Sequence, residues 1–167
     1  GFLNHLDSNV TFAQVGGLEY IKAWIATRKG SYSKAARDYR LPFLKGIGLA
    51  GVQGCGKTLI SKAISNELNF PLFQLDLSKL FDKHVGVTEQ NFLRVIDLIE
   101  SLGPCVILID EIEKYLGSGA VSGNNDSGTS SRSFGSLLSW LNDRKSEAFI
   151  VATSNNYLKL PPELVRA

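Results

Sequence analysis

Short apolar runs alternate along this chain with segments whose apolar residues recur at helical spacing. The runs predict strands over residues 46–51, 72–76, 105–109 and 148–153. The run at 105–109 has no polar alternation, which is typical of a strand covered on both faces, as in a parallel sheet between helices. Strands that alternate with helices predict a doubly wound α/β domain.

The segments between these strands carry the helical spacing. We expect helices over residues 18–29, 31–40, 58–68, 88–99 and 132–142. Ser31 and Thr88 are the predicted N-caps of the second and fourth of these helices. Residues 1–17 are expected to be irregular, residues 78–81 to form a short turn, and the Gly-, Ser- and Asn-rich residues 117–131 to form a loop.

A phosphate-binding pattern lies between the first of these strands and the helix that follows it. Residues 51–58 read Gly-Val-Gln-Gly-Cys-Gly-Lys-Thr, which is the P-loop spacing. Glycines let backbone N–H groups turn towards a phosphate, and the helix N-terminus adds free donors and a positive dipole end. Lys57 is predicted to reach the β- and γ-phosphates, and Thr58 to hold Mg²⁺. The alternative, a glycine-rich turn with a solvated lysine, is disfavoured by the full pattern and its flanks.

Two acidic residues follow the most apolar strand. Asp110 and Glu111 come directly after residues 105–109, at a strand end, where α/β folds place ligands. Asp110 is predicted to hold the hydration shell of Mg²⁺, and Glu111 to act as general base for an attacking water. Asn155, at the end of the next strand, is predicted to orient the same water. A lone Asp-Glu pair is more often a surface turn, but the buried strand before it favours the functional interpretation.

Other classes of P-loop protein fit the sequence less well. GTPases need a DxxG and an NKxD after the P-loop, and neither is present. Small-molecule kinases usually lack a glutamate after the strand-end aspartate, because a water-activating base would waste ATP. ATP hydrolysis is therefore the predicted reaction.

Amino-acid composition limits the number of domains, the kinds of partner and the compartment that the sequence allows. The chain has 167 residues, enough for one domain with a real core, and its 44% hydrophobic and 20% charged residues are ordinary for a globular protein. A net charge of +2 is too small to indicate nucleic acid, and no apolar run reaches the length of a membrane span. Cys55 and Cys105 form no metal or disulfide pattern, which favours a reducing compartment. The chain lacks methionine, which we interpret as a sign that it is a piece of a longer protein.

Several motifs stand in the order and spacing of one known family. Residues 12–18 look like that family's motif before the P-loop, and residues 160–166 like the run that leads into its second region of homology. With the P-loop, the acidic pair and Asn155 between them, the chain resembles the AAA family of ATPases over nearly its whole length. Residues 126–132 and the P-loop spelling make it similar to the divergent AAA proteins of cyanobacteria and plastid genomes, the hypothetical chloroplast reading frame forty-six group.

The resemblance implies further site residues, the cofactors and the partners. It implies ATP and Mg²⁺ as cofactors, adenine near the backbone of Val15 and Gly16, and Arg166 offered to the ATP of a neighbouring subunit. Pattern and resemblance together give nucleotide contacts at Val15, Gly16, Gly51, Gln53, Gly54, Cys55, Gly56, Lys57, Thr58 and Leu59, metal ligands at Thr58 and Asp110, and catalytic residues Lys57, Glu111, Asn155 and Arg166. The implied assembly is a homo-oligomeric ring, a hexamer when full length, that acts on a protein substrate or regulatory partner in the cytoplasm or plastid stroma. Neither a membrane nor nucleic acid is an expected partner.

The implied fold is the P-loop NTPase (AAA+) three-layer sandwich with a mostly parallel sheet. Residues 1–167 would form the large nucleotide-binding subdomain, with its C-terminal part incomplete. The family's sheet has the strand order 5-1-4-3-2 and is followed by a helical lid, and this chain ends before strand five, the second arginine and the lid. We therefore expect the P-loop strand to be an edge strand and the isolated fragment to hydrolyse ATP weakly or not at all.

Departures from the family pattern keep other functions open. His84 stands where the family usually offers an aromatic to a central pore, which weakens the expectation that a polypeptide is threaded there. Val52, Gln53 and Cys55 replace the usual prolines and threonine, with little expected loss because backbone groups bind phosphate at these positions. The second hypothesis is a nucleotide-gated binding module with little turnover. A third, a DNA-loading relative, is disfavoured by the absence of a clustered Lys/Arg stripe.

Overall fold

A single sheet organises the part of the chain that the structure describes. The computed structural model describes residues 1–80, 85–116, 127–156 and 158, and the side chains of 85–89, 116 and 127–134 lie outside this description. The strands are β1 (Leu3–Leu6), β2 (Gly46–Ala50), β3 (Leu72–Leu75), β4 (Val106–Ile109) and β5 (Phe149–Ser154). Their order is β1-β3-β4-β5-β2, with β1 antiparallel to β3 and every other pair parallel. The predicted α/β fold with a mostly parallel sheet is confirmed.

Helices connect these strands. They are α1 (Glu19–Arg28), α2 (Lys34–Asp38), α3 (Lys57–Leu68), α4 (Leu77–Leu80), α5 (Val85–Ser101), α6 (Glu113–Leu116) and α7 (Ser127–Asp143). Short 3₁₀ turns at Phe12–Gln14 and Lys29–Tyr32 flank α1. Among these described helices, none is long and apolar enough to cross a membrane.

The central strand β4 divides the apolar core into two parts. Val106 and Leu108 belong to a cluster with α1 and α3, whereas Ile107 and Ile109 belong to a cluster with α5 and α7. All four side chains are fully buried, and burying each contributes about 1.5–3 kcal/mol. Helices therefore cover both faces of the sheet, as the unbroken apolar run predicted, and the layers form the expected three-layer sandwich.

Strand β2, which leads into the P-loop, lies at one edge of the sheet. Within the described residues it pairs only with β5. Gly46 lies so close to β5 that an added Cβ would be 2.3 Å from the carbonyl oxygen of Ile150. A larger residue at this position would push the two strands apart. The expected edge position of the P-loop strand is thus confirmed.

The amino-terminal segment corrects one prediction. Residues 1–17, expected to be irregular, contain β1 and a 3₁₀ turn. Strand β1 lies along β3 with Leu3 opposite Leu75 and Leu6 opposite Leu72. Its four residues have no sustained alternation, so its conformation depends on the neighbouring strand, which a local pattern does not reveal.

The other corrections concern the residues at which helices begin. Helix α2 begins after Ser33 rather than Ser31, because the Ser33 hydroxyl accepts a backbone N–H of the first turn at 3.1 Å and caps the helix. Helix α5 begins at Val85, so that Thr88 lies inside it, and α7 begins at Ser127, before its predicted start.

The remaining predictions about local structure fall near or beyond the described residues. Helix α4 occupies most of the predicted turn at 78–81, and the Asp76 carboxylate caps it by accepting the backbone N–H of Ser78 at 3.1 Å. His84 and Arg166 lie outside the described residues, as do positions 117–126 of the predicted loop.

Candidate nucleotide-binding site

The loop between β2 and α3 has the tight backbone that the P-loop pattern requires. Gly54 and Gly56 adopt positive φ angles of 83° and 87°, which a glycine reaches without steric cost. An added Cβ at Gly51 would lie 2.8 Å from the Sγ of Cys55, so the loop closes tightly on itself. Helix α3 begins at Lys57. The loop therefore ends at a helix N-terminus, whose free N–H groups favour an anion.

A cavity of about 760 Å³ adjoins this loop. Its wall contains Val15 and Gly16 from the segment before α1, Gly48 from β2, and Leu59 from α3. The other lining residues are Gly17, Leu18, Ile21, Leu49, Ala50, Gly51, Val52, Cys55, Gly56, Lys57 and Ile60. This size and mostly apolar lining suit a small organic ligand. Of the predicted contacts, Val15, Gly16, Gly51, Cys55, Gly56, Lys57 and Leu59 are brought together here.

Three of the predicted contacts lie in the loop or helix but do not line this cavity. Gln53, Gly54 and Thr58 are exposed. Leu59 is also 42% exposed, although its spacing with Ile60, Ala63 and Ile64 is that of an apolar helix face turned towards the sheet. The apolar face of α3 that packs on the sheet begins instead at Ile60, so Leu59 is available to the cavity.

Lys57 is a buried cation at the start of α3. Its side chain is 8% exposed. Its Nζ donates to the carbonyl oxygens of Gly51 at 2.7 Å and Val52 at 3.0 Å, and to Oδ1 of Asn155 at 2.8 Å. Its Nζ also lies 3.9 Å from the Sγ of Cys55. None of these partners is a carboxylate, so within the part of the chain that the structure describes the ammonium is hydrogen-bonded without a direct carboxylate partner. A phosphate would add the missing negative charge, which is the chemistry that the P-loop pattern predicts.

At the end of β4, Asp110 and the backbone of Glu111 are both tied to strand β5. The Thr153 hydroxyl donates to Oδ1 of Asp110 and accepts the backbone N–H of Glu111 at 3.0 Å. The next backbone N–H, of Ile112, donates to the carbonyl oxygen of Thr153 at 3.0 Å. Glu111 has a φ of 50°, a conformation that costs a residue other than glycine about 1–2 kcal/mol. Such strain is typical of functional sites.

The Glu111 carboxylate has a partner on each oxygen. Oε1 accepts from Nδ2 of Asn155 at 2.9 Å, and Oε2 accepts from Nζ of Lys114. The hydrogen bond from Lys114 lowers the pKa of Glu111 the most, and the hydrogen bond from Asn155 lowers it further, so the pKa lies below its usual range. Glu111 is therefore an ionised carboxylate at neutral pH, as a proton acceptor must be.

Asn155 connects the two halves of the site. Its amide side chain accepts from Lys57 and donates to Glu111, and its backbone N–H donates to Oε1 of Glu113 at 2.9 Å. The structure thus brings together Lys57, Glu111 and Asn155, which are three of the four predicted catalytic residues. The fourth, Arg166, lies outside the described residues.

Three polar residues of this network were missed by the sequence reasoning. Thr153 and Glu113 hold Asp110 and Asn155 through contacts between different strands and loops, which sequence spacing does not show. Lys114 could have been found, because it stands three positions after Glu111 and that spacing pairs opposite charges on a helical turn.

The donor set fits Mg²⁺ bound to a triphosphate rather than a metal held by protein alone. Among the described residues, no group of three or more His, Cys, Asp or Glu side chains could hold a metal ion. Magnesium at nucleotide sites takes one or two protein oxygens and completes its shell with phosphates and water. Thr58, in the first turn of α3, and Asp110, directly after β4, offer such oxygens.

Comparison with known proteins identifies the family. A family model described as "ATPase family associated with various cellular activities (AAA)" matches residues 47–167. Over 155 residues the chain is 46% identical to "Uncharacterized AAA domain-containing protein ycf46" of Guillardia theta, covering 92% of this chain and 30% of that protein. The protein of the same name from Pyropia yezoensis is 43% identical over 152 residues, covering 91% of this chain and 30% of that protein.

Relatives with lower identity carry other names. The chain is 32% identical over 168 residues to "ATP-dependent zinc metalloprotease FtsH" of Pseudomonas putida, covering 96% of this chain and 27% of that protein. The chain spans about 30% of the length of the two ycf46 proteins named above. The predicted likeness to the plastid AAA group is confirmed. Because the family match covers most of the chain and includes the loop, the acidic pair and Asn155, this chain belongs to the AAA family of ATPases.

Proposed function

We propose that this chain binds ATP with Mg²⁺ and hydrolyses it, as the large nucleotide-binding subdomain of an oligomeric protein that remodels or regulates a protein partner. The observation that carries the proposal is the position of Lys57. It is a buried cation with no direct carboxylate partner among the described residues, it lines the cavity, and it is joined through Asn155 to the Glu111 carboxylate. Phosphate binding and water activation are thereby connected by one amide side chain.

Each residue has a role in this proposal. The apolar cavity walls and the backbone near Val15 and Gly16 hold the adenine, and the loop N–H groups and Lys57 hold the phosphates. Glu111 accepts the proton of the attacking water, and Asn155 orients that water as a neutral donor. Catalysis in this scheme is mostly positioning and stabilisation of charge.

Thr58 and Asp110 are the proposed protein ligands of the metal. When bound, Mg²⁺ would neutralise the charge that develops on the transferred phosphoryl group. The Thr58 hydroxyl is exposed at the start of α3, and the Thr153 hydroxyl bond fixes Asp110 by one of its oxygens. A carboxylate held in this way loses little further conformational freedom when it binds a hydrated cation.

We also propose how the protein assembles and where it acts. AAA family membership supports a homo-oligomeric ring, which we propose to be hexameric, in which Arg166 of one subunit acts on the ATP of the next. The similarity to a protein named ATP-dependent zinc metalloprotease FtsH supports an ATP-driven action on proteins. We place this activity in the cytoplasm or the plastid stroma, with no membrane or nucleic acid as partner.

A second candidate function is a nucleotide-gated binding module with little turnover. The observation that favours it is that Lys57 and Glu111 are both engaged by side chains of the protein itself. Phosphate must compete for Lys57, and water must compete for Glu111. A protein that binds ATP tightly but releases phosphate slowly, even with its protein partner present, would be this module.

Binding and hydrolysis measured together test the proposal. Lys57→Ala should weaken binding of a fluorescent ATP analogue with Mg²⁺ by about 30- to 100-fold, because a charged hydrogen-bond donor to the phosphates is removed. Phosphate release should fall with it. Lys34→Ala, which removes an exposed lysine of α2 away from the cavity, is the matched control and should change neither value. Unchanged affinity in Lys57→Ala would overturn the proposed phosphate site.

A further inference from the structure

The network around Glu111 contains a lysine to which the proposed reaction gives no role. Lys114 lies in the short helix α6 and donates to Oε2 of Glu111, three residues before it. Its side chain is 60% exposed, whereas that of Glu111 is 26% exposed. Lys114 is not among the residues that line the cavity. It therefore contacts the candidate base without contacting the nucleotide pocket.

The contacts of Glu111 fix it almost completely. Its backbone N–H donates to the Thr153 hydroxyl, its Oε1 accepts from Asn155 at 2.9 Å, and its Oε2 accepts from Lys114. A general base must turn an oxygen towards the water that it deprotonates. With Asn155 on one oxygen and an ammonium on the other, an attacking water has to compete for a carboxylate that already has two partners.

The two contacts on the carboxylate differ in how readily they can change. Asn155 is anchored by its backbone N–H to Glu113 and by its Oδ1 to Lys57. Lys114 has a long, mostly exposed side chain, and ion pairs of that kind are weak and easily screened. Of the two contacts on the Glu111 carboxylate, the one with Lys114 therefore breaks with the smaller loss of free energy.

We propose that Lys114 is a positioning residue that holds the Glu111 carboxylate in a resting orientation, and that hydrolysis becomes faster when this contact is broken. The inference rests on the proposed function, because it assigns Lys114 a role only if Glu111 is the base. A group that approaches Glu111 or Lys114 from outside, such as a carboxylate of a protein partner, would release the base by taking over the lysine. The contact thus gives the site a low resting rate.

A second ion pair in the chain supplies a matched control. Lys79 and Asp76 also stand three residues apart, their Nζ–O distance is 3.1 Å, and their side chains are 51% and 27% exposed. This pair has the same spacing and nearly the same exposure as the Lys114–Glu111 pair, but its acid is not the candidate base. A loss of ion pairing in general can therefore be distinguished from a loss at Glu111.

The test is steady-state ATP hydrolysis by the full-length protein at saturating Mg²⁺ and ATP. Lys114→Ala should raise kcat about three-fold, the factor expected for loss of an exposed ion pair, with KM unchanged. Lys114→Arg should restore the wild-type kcat, and Lys79→Ala should leave it unchanged. Raising salt from about 50 mM to about 300 mM should increase kcat of the wild type more than that of Lys114→Ala, because screening breaks the same contact.

The outcomes separate this inference from the function on which it rests. A kcat of Lys114→Ala equal to or below the wild-type value, in a protein whose hydrolysis is abolished by Glu111→Gln, would overturn the role of Lys114 and leave the proposed function intact. An equal rise in Lys79→Ala would also overturn it. Hydrolysis that is insensitive to Glu111→Gln would overturn both.

Discussion

The two sides of the candidate site are built in opposite ways. The side next to Val15, Gly48 and Ile60 is an open cavity with apolar walls, whereas the side around Lys57 and Glu111 is filled by the protein's own hydrogen bonds. An organic ring can enter the first without moving a side chain. Phosphate and water must displace existing partners in the second. Under the proposed function, this difference means that the adenine pocket is preformed and that Lys57 and Glu111 are held by the protein until the phosphates arrive.

Asn155 joins the two sides of the site, because among the described residues its side chain is the one that hydrogen-bonds to both Lys57 and Glu111. Asn155→Ala should lower kcat about 100-fold, the size of effect seen when one positioned donor is removed. ATP affinity should change little, because the cavity walls remain. Steady-state kinetics and equilibrium binding measure the two values.

The neighbouring residue provides the control for that variant. Asn156 accepts the backbone N–H of Leu158 at 3.1 Å through Oδ1 and contacts neither Lys57 nor Glu111 in the hydrogen bonds of the described residues. Asn156→Ala should keep the wild-type kcat. Equal losses in both variants would mean that the turn after β5, rather than the amide of Asn155, matters.

Filling the cavity should weaken binding without touching the reactive groups. Gly48 lines the cavity, and an added Cβ there meets no atom within 4 Å. Gly48→Leu should therefore project into the cavity and raise the Kd for ATP about ten-fold, which corresponds to about 1.4 kcal/mol. Gly48→Ala, which fits the open space, should bind normally, and unchanged Kd in both variants would show that ATP binds elsewhere.

The two cysteines test whether nucleotide binds in the cavity, and the expected change in labelling rate is the smallest of these effects. Cys55 is exposed and lines the cavity, whereas Cys105 is fully buried at the start of β4, where burial raises its thiol pKa to about 11. Iodoacetamide at pH 8 should label Cys55 and leave Cys105 unmodified in the folded protein, because the thiolate is the reactive form. Saturating Mg²⁺ and ATP should slow labelling of Cys55 about five-fold. Labelling at an equal rate with and without nucleotide would contradict binding in this cavity.

The raised pKa of Cys105 also gives a pH dependence with a definite sign. An unfolded thiol ionises near its ordinary value of about 9, whereas the folded one stays protonated up to about pH 11. Between these values the unfolded state binds fewer protons, so stability should fall as pH rises. Thermal melts of Cys105→Ala should show a smaller fall over this range than melts of the wild type.

Much of the fold could be predicted because each of the four parallel strands, β2 to β5, carries its own signal. Strand β4 has two residues on each face, and both faces are buried, as the absence of alternation indicated. The loop at residues 51–58 was predictable because phosphate binding demands glycines and a lysine at fixed spacing. These features depend on short stretches of chain, so a single sequence is enough to find them.

The rest depends on contacts between distant segments. Strand β1 exists through its pairing with β3, and Thr153 reaches Asp110 from another strand. Lys57 and Asn155 are 98 positions apart, yet they are joined at 2.8 Å. The sequence predicted both residues but not the hydrogen bond between them, nor that each reactive group would be engaged by the protein itself. Only the folded arrangement carries that information.

The proposed role of Glu111 is tested by comparing Glu111→Gln with the wild-type protein in both ATP binding and ATP hydrolysis. Glutamine keeps the shape of the side chain and can still accept a hydrogen bond, but it cannot take a proton from water. We expect Mg²⁺-ATP affinity within about three-fold of wild type, and turnover lower by at least about 100-fold, as for loss of a general base. Normal turnover in Glu111→Gln, or an equal loss of binding and turnover, would contradict the account.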